Sequence, residues 1–247
     1  MGIRRGSIST PIIADGLIVN IDPANRASYP KSGTTTYNTL DSSDTGTLNG
    51  VTFEDEKWNF DGADDYINFG DFSKADFGYQ VPFTFNVWFK LNDGTPLSTS
   101  SHLYTMFSKY NNNAANGGYA LFLRGGSTNG IAFRSSPGVT SADLDIFPTS
   151  DISSTFTDYG YHSATITYNS SALGSLYVDG QFINDKTLIS TQTHLNANSF
   201  YIGVYSLLNF DFPGNIGPLQ IYNRDLSANE VLHNHNALKS RFEWVEE

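Results

Sequence analysis

The sequence predicts an all-β chain: a two-sheet antiparallel sandwich with one C-terminal α-helix. Three observations carry this. Residues Phe83–Leu91 alternate apolar and other side chains with a period of two, a pattern that a strand turns into one buried face. About a dozen such short runs, bounded by Gly, Asn, Asp and Ser turns, follow one another along the chain, and that many antiparallel strands stack as two sheets. Aromatic residues make up 14 % of the chain, and side chains of this type suit a pleated, half-buried surface.

Taken in order, residues 1–16 mix Gly, Ser, Pro and two Arg without a period and read as an N-terminal arm. Leu17–Asp22 reads as the first strand. Pro23–Gly50 is rich in Ser, Thr, Asn, Asp and Gly and reads as long loops. Short strands follow at Trp58–Asp61 and Tyr66–Phe69. In Phe83–Leu91 the residues Phe83, Phe85, Val87, Phe89 and Leu91 form the buried face, and Thr84, Asn86, Trp88 and Lys90 the other. Tyr119–Arg124 and Ile131–Arg134 are shorter strands either side of the Gly125–Gly130 turn. Tyr161–Tyr168 sets Ala164, Ile166 and Tyr168 against Ser163, Thr165 and Thr167. Leu176–Val178 and Gln181–Ile183 flank Asp179-Gly180, a two-residue hairpin signal because both residues tolerate positive φ. Phe200–Val204 and Pro218–Tyr222 complete the strands.

The helix has explicit start signals. Ser227 and Glu230 form a capping box, and Leu226 and Val231 flank it as a hydrophobic staple. Val231, Leu238 and Phe242 share one face with His235 between them, so a helix over about 228–241 packs its apolar stripe on the sandwich. Glu243–Glu247 reads as an acidic, solvated tail. The chain therefore divides into an arm (1–16), a sandwich (17–225), and a helix with its tail (226–247) packed on the same domain.

Composition excludes several functions. Hydrophobic residues reach 39 % against 16 % charged, enough for a sizeable core and too little charge for a disordered chain. A net charge of −11 repels phosphate backbones and anionic membrane surfaces, so neither nucleic acid nor membrane insertion is expected. Cysteine is absent, which removes disulfides, zinc–thiolate sites and thiol nucleophiles. No run of about 20 apolar residues is available to cross a bilayer. The opening MGIRRGSISTPIIADGLIVNI is broken by Pro11, Asp15 and Gly16, unlike the unbroken apolar run of a signal peptide, so folding in the cytosol is expected.

Few residues suggest chemistry. Asp61-Gly62-Ala63-Asp64-Asp65 is a dense acidic turn, and Asp61, Asp64 and Asp65 are candidate ligands for calcium, which prefers several oxygens. The spacing is not that of an EF-hand loop, and a tight turn between strands is the competing reading. Asp41 and Asp44 carry less signal. Tyr110 with Asn111, Asn112 and Asn113 forms a polar-aromatic loop; Tyr110, Asn111 and Asn113 are candidate glycan contacts, because sugars stack on rings and bond to amides. His233 and His235 lie two apart on the helix, not at the i, i+4 spacing of a zinc pair, and read as surface or edge histidines. His102, His162 and His194 sit in separate segments with no carboxylate motif beside them. No Gly-x-Ser-x-Gly elbow, P-loop or dinucleotide fingerprint occurs. Neither catalytic residues nor a cofactor are expected, calcium apart.

Several segments in order resemble a known family. They are Asp15-Gly16-Leu17 into Asn20-Ile21-Asp22-Pro23-Ala24-Asn25 and Ser28-Tyr29-Pro30; Asn59-Phe60-Asp61-Gly62 with Asp65-Tyr66-Ile67; Phe83-Thr84-Phe85 with Trp88; Leu176-Tyr177-Val178-Asp179-Gly180; and Gly214-Asn215-Ile216-Gly217 with Ile221-Tyr222-Asn223-Arg224, Leu226-Ser227 and Glu230. Together they resemble the concanavalin-A-like, laminin-G-like jelly-roll proteins encoded by tailed bacteriophages. The resemblance implies a non-enzymatic virion structural protein, in a head decoration, fibre or baseplate, assembled in the host cytoplasm. Its partners would be other virion proteins or copies of itself, and host surface polysaccharide. The arm, with Ile3, Arg4 and Arg5 as candidate subunit contacts, would add a strand to a neighbour's sheet edge. The alternative is a cellular carbohydrate-binding module that uses calcium. β-Glucanases of this fold class carry Glu-x-Asp-x-Glu. Asp143-Leu144-Asp145-Ile146-Phe147 has the two-residue spacing but no outer Glu, so it reads as a strand with a polar outer face.

Overall fold

Sixteen strands and one α-helix are present in a computed structural model that describes residues 11–97, 102–110, 117–124, 130–136, 144–187, 197–205 and 210–242. In chain order the strands are β1 (Leu17–Ile21), β2 (Thr35–Asn38), β3 (Asp41–Asn49), β4 (Thr52–Glu54), β5 (Lys57–Asp61), β6 (Tyr66–Asp71), β7 (Phe83–Leu91) and β8 (Leu103–Tyr110). They continue as β9 (Gly118–Arg124), β10 (Gly130–Ser136), β11 (Leu144–Ile146), β12 (His162–Tyr168), β13 (Leu173–Val178), β14 (Gln181–Thr187), β15 (Ser199–Ile202) and β16 (Pro213–Tyr222). The helix α1 is Ala228–Lys239.

They form two eight-stranded antiparallel sheets, the two layers of a jelly-roll sandwich. One runs β14-β13-β12-β7-β16-β5-β4, with β1 also on β16; the other runs β11-β10-β9-β8-β15-β6-β3-β2. β16 serves both sides of its sheet. Pro213–Ile216 pairs with β5 and Leu219–Tyr222 with β1, while β7 runs along its other edge. Between the sheets lies an aromatic core in which Phe85 stacks on Phe107 at 5.1 Å and Phe83 on Tyr168 at 5.1 Å.

The period-two strand holds: Phe83, Phe85, Val87, Phe89 and Leu91 all enter this core. Its other face is buried too, with Thr84, Asn86 and Trp88 inside, because α1 and the segment leading to it lie over that face. Thr84 Oγ1 donates to the Arg224 carbonyl and accepts from the Leu226 N–H, both at 2.9 Å. The capping box forms as expected, and Leu226 and Val231 pack together with Tyr177 and Tyr222. The hairpin also forms, with Asp179 at φ 51° and Gly180 at φ 75°.

Two expectations are corrected. The stretch read as long loops contains β2 and β3. Their buried residues include polar ones satisfied by hydrogen bonds, such as Asn38 Nδ2 to the Ile18 carbonyl (3.0 Å) and to Asp44 (2.8 Å), so no apolar period marks them. The stretch ahead of Asn111 is strand β8, whose alternation is broken by an irregularity between Thr105 and Phe107. The strands therefore outnumber the dozen expected. Residues 11–16 are tied to α1: Ile13 N–H donates to Asn234 Oδ1 at 2.8 Å. Ile3, Arg4 and Arg5 lie outside the described residues, as does the acidic tail from Glu243. No helix among the described residues is long and apolar enough to cross a membrane.

Lys109 on β8 is fully buried, and its ammonium donates to Asp76 (2.7 Å), the Phe72 carbonyl (3.1 Å) and Asp71 (3.2 Å). It clamps the segment after β6 onto the second sheet. Lys109→Met removes all three donors and leaves a buried carbonyl unpaired. A loss of about 3 kcal/mol is expected, toward the lower end for a broken buried pair because Asp71 can be rehydrated. Urea unfolding measures it, and an unchanged midpoint would refute the clamp.

Candidate functional site

The outer face of the first sheet is not fully covered by α1. Register places Lys90, Asn215 and Asn59 side by side across β7, β16 and β5. Lys57 lies two residues before Asn59 and shares its face. Tyr161 stands at the entry to β12, two residues ahead of Ser163, which pairs with Trp88. Its half-buried ring is the wall between two cups.

The first cup, about 280 Å³, is floored by the hydrogen-bonded amides of Asn59 and Asn215 and flanked by Lys57 and Lys90, with Glu54 and Asp55 at its rim. The two ammonium groups sit 5.1 and 5.9 Å from the centre of the Tyr161 ring, a cation–π arrangement. Burial, with the nearby Asp55 charge, pushes the Tyr161 hydroxyl well above its ordinary range, so it stays a neutral donor and acceptor.

The second cup, about 300 Å³, has an aromatic wall and a charged floor. Trp88 stacks with His235 at 5.1 Å and with Phe242 at 4.5 Å, and Phe242 also meets Tyr161 at 4.8 Å. On the floor, His162 bonds through Nδ1 to Asp179 (2.7 Å) and through Nε2 to Asp158 (3.1 Å). Burial alone would lower the His162 pKa, but the bonds and charges of Asp179 and then Asp158 prevail and raise it. Among the described residues the buried Trp88 indole N–H finds no acceptor, a cost set against building this wall.

Among the described residues, these groups do not line up as a nucleophile relay or as a glycosidase acid pair. Ser163 Oγ and His235 Nδ1 are 2.8 Å apart, yet the same nitrogen is the one 4.0 Å from Asp179. A nucleophile relay needs hydroxyl and carboxylate on opposite nitrogens. Asp158 is held below its ordinary pKa: burial pushes it up, but the Gly160 N–H and His162 outweigh that. A general acid of a glycosidase pair needs the reverse.

Two histidine expectations are corrected here. His162 does lie beside carboxylates, contributed by the β13–β14 turn and by residue 158, which no local motif reveals. His235 is buried against Trp88, because the stripe of α1 facing the sheet includes it. The signal available in sequence was aromatic: Trp88 interrupts the polar side of β7, and Tyr161 heads the polar side of β12.

The remaining candidates fall elsewhere. Tyr110 is the last residue of β8 and packs on Tyr205 at 4.8 Å, so it belongs to a strand end and not to a loop. Asn111 and Asn113 lie outside the described residues. Asp145 is engaged by Arg134 Nε and Nη2 at 3.1 Å, an ion pair that lies over the Phe122 ring and not on a wholly polar face; Asp143 lies outside the described residues. Asp61, Asp64 and Asp65 do come together, each able to place one oxygen within 4.8 Å of the others. Asp61 Oδ1 accepts from the Ala63 N–H (2.8 Å), and Asp65 Oδ2 from the Asp61 N–H (2.8 Å).

Comparison with known proteins identifies the fold family. Residues 61–232 match the model of the concanavalin A-like lectin/glucanases superfamily. Among curated proteins, no relative matches the chain. Similar solved structures include the binding domain of Paraclostridial Mosquitocidal Protein 1, with a TM-score of 0.68 and 17 % identity over 90 % of this chain and 52 % of that one. The botulinum neurotoxin DC binding domain in complex with rat synaptotagmin II has a TM-score of 0.62 and 15 % identity, over 90 % of this chain and 52 % of that one. The same toxin's binding domain in complex with SialylT gives 0.63 and 14 %, over 91 % and 52 %. The chain thus spans about half the length of these binding domains, and at such identities the likeness is one of fold.

The His162 bridge makes stability depend on pH. Its folded pKa is raised above the unfolded value of about 6.5. The contribution is therefore complete below pH 6.5 and lost as pH rises through the folded pKa. Thermal unfolding of the wild-type chain should fall in midpoint across that window, and His162→Gln should flatten the fall. Parallel profiles for the two proteins would show that the bridge carries no linkage.

Proposed function

The chain belongs to the concanavalin A-like lectin/glucanases superfamily, and on that premise we propose that it is a non-enzymatic, lectin-like binding module whose ligand is a glycan held against Tyr161. The observation that carries this reading is the position of Tyr161 between two cups of complementary chemistry. A sugar presents C–H faces that pack on an aromatic ring and hydroxyls that need both donors and acceptors. The first cup offers two amides and two ammonium groups, and the second two carboxylates and an imidazole. The amides, the ammonium groups and the imidazole of His162 are carried on strands, and the two carboxylates on turns beside them, a frame that limits the entropy lost on binding.

The similar structures support a role in holding an external partner, since two of them are complexes, one with rat synaptotagmin II and one with SialylT. The setting we propose is the virion of a tailed bacteriophage, assembled in the host cytoplasm. There the module would contact other virion proteins or copies of itself as well as host polysaccharide. Support comes from the order of the motifs along residues 15–242 and from the absence of cysteine.

A glycan array with wild-type chain and Tyr161→Ala tests the site. Wild type should retain a defined set of sugars without cleaving them. The variant should bind them roughly tenfold more weakly, because an aromatic contact is worth about 0.5–1.5 kcal/mol beyond the area it buries. Equal binding by both proteins, no binding by wild type, or hydrolysis of a bound sugar would overturn the reading.

A further inference from the structure

Among the described residues, two lysines each meet a pair of aspartates. Lys74 reaches Asp41 and Asp44 with 30 % of its side chain exposed, so water shares its charge. Lys109 reaches Asp71 and Asp76 with none of its side chain exposed. An amine and a carboxyl held together where water is excluded are also the two halves of an amide bond.

The fold holds both partners in place. Lys109 lies near the end of β8, and Asp71 closes β6. Asp76 follows a single helical turn over Ser73–Ala75, whose end is fixed by the Asp76 N–H on the Ser73 carbonyl (3.0 Å). The buried Tyr119 hydroxyl donates to the Ala75 carbonyl at 2.7 Å and pins this turn to β9. Phe72 and Phe77, on either side of the turn, are buried, and Phe77 packs on Tyr119 at 4.7 Å. Lys109 Nζ sits 2.7 Å from Asp76 Oδ1, so the carboxyl carbon is one bond further on. The Asp76 side chain is only 19 % exposed, whereas that of Asp71 is 58 % exposed and opens to solvent.

We propose that the Lys109 amine and the Asp76 carboxyl condense into an isopeptide bond, with Asp71 as the proton carrier. One proton first passes along the 2.7 Å hydrogen bond from ammonium to carboxylate, giving an amine and an acid. Exclusion of water favours such a transfer, because burial penalises charged forms. The nitrogen then attacks the carboxyl carbon, and the C–N bond forms. Asp71, 3.2 Å from that nitrogen, takes the proton it sheds and returns it to the departing hydroxyl. The C–O bond breaks, and one water leaves by the exposed side of Asp71. Ammonium and carboxylate thus become amide and water, with nothing oxidised or reduced. The ion pair that clamps β8 is the reactant. The closed ring runs from Asp76 through β7 of the first sheet to β8 of the second. It braces the sandwich in a chain without cysteine, and a cross-link stabilises by restricting the unfolded chain. The bond is independent of the glycan reading.

Mass spectrometry of the denatured full-length chain tests it. The wild-type mass should be lower than that of the sequence by one water, and digestion should release a branched peptide joining Asp76 to Lys109. Lys74 should be found unmodified. A succinimide at an Asp-Gly pair such as Asp179-Gly180 also loses one water, so the branched peptide is the deciding signal. Asp76→Ala should lack it. Asp71→Asn, at a largely exposed position, should fold with the wild-type circular dichroism spectrum and yet stay unlinked. A wild-type chain without the branched peptide after prolonged incubation, or a branch at Lys109 that persists in Asp76→Ala, would overturn the bond. A fully linked Asp71→Asn would overturn the part given to Asp71.

Discussion

Helix α1 rests on a sheet face that would otherwise be a row of polar side chains facing water. Beneath it Thr165 donates to Asn86 (2.7 Å), Asn86 to Gln220 (2.6 Å), and Gln220 to Asn20 (3.3 Å), a chain that crosses β12, β7, β16 and β1. Buried amides cost about 1–3 kcal/mol each when a partner is missing, so the face can be covered only because register aligns them. Asn234 completes the seat. Its amide donates to the Tyr222 hydroxyl (2.9 Å) and accepts from the Ile13 N–H (2.8 Å), while that hydroxyl donates to the Ile13 carbonyl (3.1 Å). Arg224 fixes the helix start by gripping Glu230 through both terminal nitrogens, and this pair, with Ser227, holds the Glu230 carboxyl down at about 2.

The Tyr161 cups follow from where that seat stops. α1 ends at Lys239 and the chain turns so that Phe242 reaches Trp88. Among the described residues, the part of the sheet face past Phe242 presents Lys90, Asn215 and Asn59. Had α1 continued along the sheet, it would have covered them. Helix length thus sets the size of the exposed polar field, and Trp88 marks its border.

How far sequence reveals this depends on the range of the interactions. The strand Phe83–Leu91, the Asp179-Gly180 hairpin and the Ser227–Glu230 box are legible because each is decided within a few residues. β2 and β3 are not, since their buried positions hold Thr36, Asn38 and Gly46, whose burial rests on distant hydrogen bonds and on the Phe69 ring lying against Gly46. The same division holds for sites. The Asp61–Asp65 cluster is written in five consecutive residues. Tyr161 and His162 at the start of β12, Asp179 in the β13–β14 turn and His235 on α1 come from three places in the chain, and no spacing announces that they meet.

The first sheet separates two kinds of constraint. On its inner side Phe85, Phe107, Phe133 and their neighbours form a continuous core, where a change of one methylene is felt through close packing. On its outer side Trp88, Tyr161 and Phe242 contact one another and α1 but stand apart from that core. Residues there can change chemistry without disturbing what specifies the fold. Motifs such as Asp65-Tyr66-Ile67 and Phe83-Thr84-Phe85 hold side chains on the inner side, so a family resemblance built on them reports the sandwich. Under the proposed function, the ligand is decided on the other side of the sheet, by the few side chains around Tyr161, and it is at such positions that members of one fold can part in function.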